Sequence, residues 1–212
     1  MVRSKLRINF FHCVYVYLQR KIYVVLNNQI QTMRKGFVIF LFAIFLASCE
    51  GPYIFNRTIT QKDGTKMLLG GVGRTAFEKE PFSTWFSKEY DSYQVNQETV
   101  KEIKRKLKRY RIEIFMGSWC EDSQREYPRL MKILDEAKFP EARMVTYAVN
   151  ESKKSFYGEE EGKDIRFVPT IIFYRGGQEV GRIVESPVSG SLEEDILMIV
   201  NETPNTPHYS ED

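Results

Sequence analysis

Cysteine and histidine are scarce in this chain, with 3 Cys and 2 His in 212 residues. Cys13, Cys49 and Cys120 fall in three different contexts, and no two of them form a Cys-x-x-Cys pair. His12 and His208 lie near the two ends. A disulfide framework and a zinc site therefore both lack the residues they need, and nothing in the composition calls for a metal or a cofactor. Acidic residues are missing altogether from positions 1–48, which hold seven Lys and Arg. Setting those seven aside leaves 24 basic against 28 acidic residues, a balance of −4. The net charge of +3 thus belongs to the leading segment, and the remainder has no basic footprint for nucleic acid. No apolar run reaches the roughly 20 residues that a membrane-spanning helix needs. Low-complexity tracts are also lacking. What remains is an ordinary globular composition, long enough for one or two domains.

The leading segment has its own logic. Residues 33–49 read MRKGFVIFLFAIFLASC: a short positive stretch, then an apolar run from Phe37 to Phe45, then small residues. That order is the order of a secretory signal. Leu46-Ala47-Ser48-Cys49 resembles the bacterial lipobox, and the resemblance implies a signal peptide over 33–48 with Cys49 lipidated as the first mature residue. It places the protein in the bacterial cell envelope, lipid-anchored and facing the periplasm or exterior. Residues 1–32 precede the signal. The simpler reading starts translation at Met33, and the other makes 1–32 a long n-region.

From Cys49 to Met67 the chain is polar and turn-rich, a tether with room for a short hairpin. Residues 68–96 are rich in aromatics, with Phe82, Trp85 and Phe86 at helical spacing, and read as an N-terminal extension packing on the main domain. Val100, Ile103 and Leu107 share one face of a helix that Asn96 is placed to cap. Its lysines and arginines read as a solvated face. Tyr110–Met116 reads as a strand, and Cys120 to about Lys138 as a helix interrupted by Pro128. A second strand covers 143–149, and the polar stretch 155–164 is predicted to include a short helix. Two strands, 170–174 and 179–184, flank Gly176-Gly177 as a hairpin. Ser191-Leu192-Glu193-Glu194 opens a last helix as a capping box, and residues 202–212 read as a disordered tail. This order predicts an α/β fold, a central mixed sheet flanked by helices, with helices expected on both faces.

Three local motifs add to that order. Trp119-Cys120-Glu121-Asp122-Ser123 follows an apolar strand, Pro128 stands eight residues past the cysteine, and Ile165-Arg166-Phe167-Val168-Pro169-Thr170 enters a strand. Together they resemble the thioredoxin-like superfamily over about 97–201: its Trp-Cys-x-x-Cys turn, its kinked active-site helix and its cis-proline segment. The resemblance implies that Cys120 is the reactive thiol. It gives supporting roles to Trp119, a flat apolar neighbour of the sulfur, and to Val168, whose backbone would hold an extended client across a cis Val168-Pro169 bond. Two positions depart from the family pattern. Ser123 stands where the second cysteine is expected, and Ile114 where thioredoxins often bury a carboxylate.

Those departures define the expected chemistry. A helix N-terminus favours the thiolate, against the like charges of Glu121 and Asp122, and the Ser123 hydroxyl is placed to hydrogen-bond the sulfur. A lone cysteine can open a client disulfide but needs an outside thiol to release the mixed disulfide. The leading reading is monothiol exchange or isomerisation on protein thiols or disulfides, with a small thiol as one candidate resolving agent, without metal or cofactor. The alternative is a redox-inert binding module that holds extended client segments at the cis-proline groove. A peroxidase-type site is set aside, because Glu113 and Gly117 occupy the places where that family usually carries proline and a hydroxyl residue.

Overall fold

The computed structural model describes residues 55–207 and 209. The signal segment, Cys13 and the expected lipid-attachment residue Cys49 lie outside the described residues. Five strands make the central sheet: β3 (Gly70–Val72), β4 (Tyr110–Met116), β5 (Met144–Ala148), β6 (Thr170–Arg175) and β7 (Gln178–Val184), in spatial order β3-β5-β4-β6-β7. β4 and β5 run parallel, with Ile114 opposite Thr146, and every other pairing is antiparallel. A separate hairpin joins β1 (Thr58–Thr60) to β2 (Lys66–Leu68) inside the stretch read as a tether. Helices are α1 (Phe82–Ser92), α2 (Gln97–Leu107), α3 (Glu121–Glu136) and α4 (Leu192–Val200). No helix among the described residues is long and apolar enough to cross a membrane.

The alternation along β4 sorts the core. Ile112, Ile114 and Met116 point to one face, where they join buried residues of all four helices in one large cluster. Phe115 points to the other face, into a smaller cluster with Val149, Val168 and Ile172. Helices were expected on both faces. The second face is instead closed by the segment between β5 and β6, and that segment forms turns where a short helix was predicted. Gly158 and Gly162 adopt positive φ there (80° and 72°), and buried Glu160 takes both the amide and the hydroxyl of Ser155. These side-chain bonds compete with helix formation. Burial works against the charge of Glu160, yet the Ser155 bonds hold its carboxyl below the usual range.

Several local predictions are met by specific bonds. The Asn96 side chain accepts from the amides of Glu98 and Thr99, capping α2. Gly176 and Gly177 sit at φ 60° and 85°, as a tight turn of the type I′ family requires. Ser191 caps α4 through the Glu194 amide at 3.4 Å, but the reciprocal half of the capping box is absent. The neighbouring Glu193 turns its side chain inward and accepts from the Tyr93 hydroxyl at 2.7 Å.

The N-terminal extension does more than pack on the domain. Its β3 strand is the edge of the sheet, and Phe77 stacks among Trp85, Phe86 and Tyr127 at 4.9–5.6 Å. α3 runs unbroken through Pro128, which forgoes one backbone hydrogen bond while its neighbours Tyr127, Leu130 and Met131 stay buried. Some described residues of the tail make contacts with the domain. Asn205 donates to Asp195, Pro204 lies against Gly181, and the Tyr209 ring sits 6.0 Å from that of Phe167.

Candidate functional site

The β4–α3 turn is held by a ring of hydrogen bonds. The Cys120 amide donates to the Gly117 carbonyl at 3.0 Å. Buried Ser118 uses its hydroxyl to accept from the Leu68 amide at 3.0 Å, and its carbonyl accepts from the Gln124 side chain at 2.8 Å. The Trp119 indole N–H donates to the Val149 carbonyl at 2.9 Å, which lays the ring across Gly117. A Cβ at Gly117 would stand 2.7 Å from an indole carbon, so the close approach of the ring requires glycine there. Gly117, Ser118 and Gln124 are positioning residues that sequence reasoning missed. Only Gly117 carried a signal, as a glycine at the end of an apolar strand.

Cys120 is the N-cap residue of α3, with extended backbone and partial exposure. Its thiol donates to the Val168 carbonyl at 3.2 Å. The Val168-Pro169 peptide is cis. The Thr170 hydroxyl donates to the Phe167 carbonyl at 2.7 Å and ties the segment down just before β6. The fold therefore brings Trp119, Cys120, Val168 and Pro169 together from two loops 48 residues apart, and Trp119 and Cys120 pack on the smaller core cluster. Among the described residues, no backbone acceptor meets the Val168 amide.

Ser123 is fully buried, and its hydroxyl accepts from the Gly117 amide at 3.1 Å. The expected bond to the Cys120 sulfur does not form among the described residues. The first turn of α3 aims this side chain back into the β4–α3 turn, whose orphan amide it satisfies. Asp122 is ion-paired to Arg125 at 2.6 Å, so part of the acidity beside Cys120 is balanced. Lys153 lies 5.9 Å from the centre of the Trp119 ring. Ile114 is completely buried, so β4 places an aliphatic side chain where a carboxylate was considered. The buried carboxylate in this region is Glu126, held by Arg125 at 2.7 Å in a chain that continues through Arg129 to Glu89. Among the described residues, no cluster of His, Cys, Asp or Glu has the makings of a metal site.

No curated protein matches the chain. Among solved structures it is similar to an HIV epitope scaffold (17% identity, TM-score 0.47), with 62% of this chain and 93% of that one covered. It is also similar to a protein of unknown function from Pseudomonas aeruginosa (16% identity, TM-score 0.41; 63% and 89% covered). A third similar structure is thioredoxin f2 of Chlamydomonas reinhardtii (21% identity, TM-score 0.33; 53% and 97% covered). A family model described as thioredoxin matches residues 83–191, just over half of the chain, from within α1 to the residue that caps α4. With its mixed five-stranded sheet, its flanking helices and that match, the chain belongs to the thioredoxin family.

Proposed function

We infer that this protein is an envelope-anchored thioredoxin-family protein that performs monothiol thiol–disulfide exchange or isomerisation through Cys120. The observation that carries the reading is the setting of the Cys120 sulfur. It is partly exposed at the N-cap of α3 and 3.2 Å from the Val168 carbonyl, with Ser123 in the place of a resolving cysteine. In the forward step the Cys120 thiolate attacks one sulfur of a client disulfide. That S–S bond breaks, a Cys120–client disulfide forms, and the other client sulfur leaves as a thiolate. Ser123 cannot displace the client, because a hydroxyl does not take part in this exchange and this one is committed to the Gly117 amide. A second thiol must therefore attack the mixed disulfide and release Cys120 as thiolate. It is a small thiol, a thiol of a second protein or another cysteine of the client, and the last route isomerises the client. Lipidation at Cys49 would hold this chemistry at the membrane surface, outside the cytoplasm, where client disulfides persist.

One feature favours a second reading, a binding module without redox turnover. Val168 presents an amide that meets no acceptor among the described residues, next to a carbonyl whose hydrogen-bond partner is the Cys120 thiol, and an extended peptide can pair with such a backbone. The two readings separate in one experiment. The full-length chain and its Cys120→Ser variant are reacted with an aromatic disulfide probe at neutral pH. Exchange at Cys120 faster than that of free cysteine, lost in the variant, supports the first reading. A rate no faster than free cysteine, with no mixed disulfide trapped, leaves the binding module.

A further inference from the structure

The sheet face that carries the Phe115 cluster is closed by segment 149–169 at its Cys120 end. At its other end, around the start of β4 and the β6–β7 turn, it opens into a concavity of about 520 Å³. The seven residues of β4, roughly 20 Å of strand at about 3.3 Å per residue, lead from this concavity toward the turn that holds Cys120.

The lining is cationic. Arg109 and Arg111 flank the first residue of β4, Arg143 ends the short 3-10 turn before β5, and Lys163 comes from the segment between β5 and β6. Glu113 is the one carboxylate among the described residues that line the concavity, and Lys163 already neutralises it at 2.6 Å. Lys163 also donates to the Tyr174 hydroxyl at 3.2 Å. Arg109 and Arg111 meet no carboxylate among the described residues. Arg143 spends one N–H on the Lys108 carbonyl and meets no carboxylate among the described residues either. All three arginines are exposed. At the rim, a Cβ on Gly176 or Gly177 would meet nothing within 4 Å, so the mouth is open backbone.

Three guanidinium groups with unspent donors thus face one hollow, while its carboxylate is balanced by its lysine. A guanidinium presents a planar fork that matches phosphate oxygens two at a time. The excess of three positive charges calls for an anion that carries more than one negative charge, which a phosphate group supplies and a lone carboxylate does not. The volume falls in the range of about 300–1,000 Å³ typical of small-molecule sites. We propose that this concavity binds a phosphate group, carried by a free small molecule or by a lipid headgroup, through Arg109, Arg111 and Arg143. The site is separate from Cys120 and does not depend on its chemistry.

The test uses the full-length chain in two arms. One titrates inorganic pyrophosphate by calorimetry; the other measures co-sedimentation with phosphatidylcholine vesicles with and without phosphatidic acid. Saturable pyrophosphate binding identifies a free ligand, and association that requires phosphatidic acid identifies a headgroup. In either arm Arg111→Ala and the double variant Arg109→Ala/Arg143→Ala should each weaken binding about tenfold or more, the loss of at least one paired contact. Cys120→Ser and Lys101→Ala should leave binding unchanged, and circular dichroism confirms that each variant is folded. The proposal is overturned by no saturation up to about 10 mM pyrophosphate together with no dependence on phosphatidic acid. It is equally overturned if Lys101→Ala, on the helix α2 surface, weakens binding as much as the arginine variants do.

Discussion

At the scale of single residues, the site turns on what Ser123 is bonded to. Its hydroxyl closes the β4–α3 turn by accepting from the Gly117 amide, so the position is structural as well as chemical. A cysteine there would restore the second thiol of the family pattern at the cost of a weaker acceptor, about 1 kcal/mol of stability. Ser123→Cys should therefore gain dithiol reductase activity in an insulin-precipitation assay with a chemical reductant supplied. If no activity appears although the variant is folded, position 123 is not within bonding reach of Cys120, and the comparison with a Cys-x-x-Cys turn ends at the fold. The role of Ser123 was half legible in the sequence. Spacing from Cys120 identifies the position, but the choice between sulfur and backbone amide depends on which orphan donor the turn leaves open, and only the folded turn decides that.

At the scale of elements, the joint between α1, α2 and α4 rests on a buried acid. Glu193 is 1% exposed and accepts from the Tyr93 hydroxyl at 2.7 Å, the Asn96 amide at 3.0 Å and the Ser191 hydroxyl at 3.1 Å. It ties the linker before α2 to the first turn of α4. Glu193→Ala would take the acceptor from the part-buried hydrogen bonds of the Asn96 amide and the Tyr93 hydroxyl, and should lower unfolding free energy by about 1–2 kcal/mol in urea titration. A loss under about 0.5 kcal/mol would mean that water reaches the joint and replaces the carboxylate. The sequence showed the capping pattern around Ser191 and the amphipathic face of α2, because both are local periodicities. It hid the role of Glu193, since a partner 97 residues away leaves no mark on spacing. β3 was hidden for a related reason: three residues, two of them glycine, carry no alternation to read, and their pairing with Thr146–Ala148 comes from the sheet edge that the rest of the fold provides.

For the whole molecule, three tyrosines along the α1–α3 seam set the response to alkali. Burial, then the hydrogen bond to Asp135, pushes the Tyr90 hydroxyl up to about 12. Burial pushes Tyr127 up to about 12 as well, and burial followed by the bond to Glu193 raises Tyr93. A group that ionises less readily when folded contributes stability that is complete below its unfolded value, about 10 for tyrosine, and lost as the pH rises toward the folded one. The urea midpoint should therefore fall steadily from about pH 10 to about pH 12, and Tyr93→Phe should fall less steeply over that window. A midpoint that stays flat across the window, or an unchanged slope in the variant, would show that these hydroxyls titrate alike in both states. The mixed sheet and its helices were legible from element order. The bare half of one sheet face was not, because the polar segment 155–164 has the composition of a short helix and becomes turns only when Glu160 captures Ser155.

The hydrogen bond from the Leu68 amide to the Ser118 hydroxyl bears on where this protein can be cut. Leu68 lies 15 residues before the first position of the family match, yet it stands against the turn that presents Cys120. A fragment trimmed to the family boundaries would strip that donor from a buried hydroxyl and remove the sheet's edge strand with it. The unit of inheritance and the unit of folding therefore have different first residues, and the shorter of the two lacks a bond that holds the turn before Cys120.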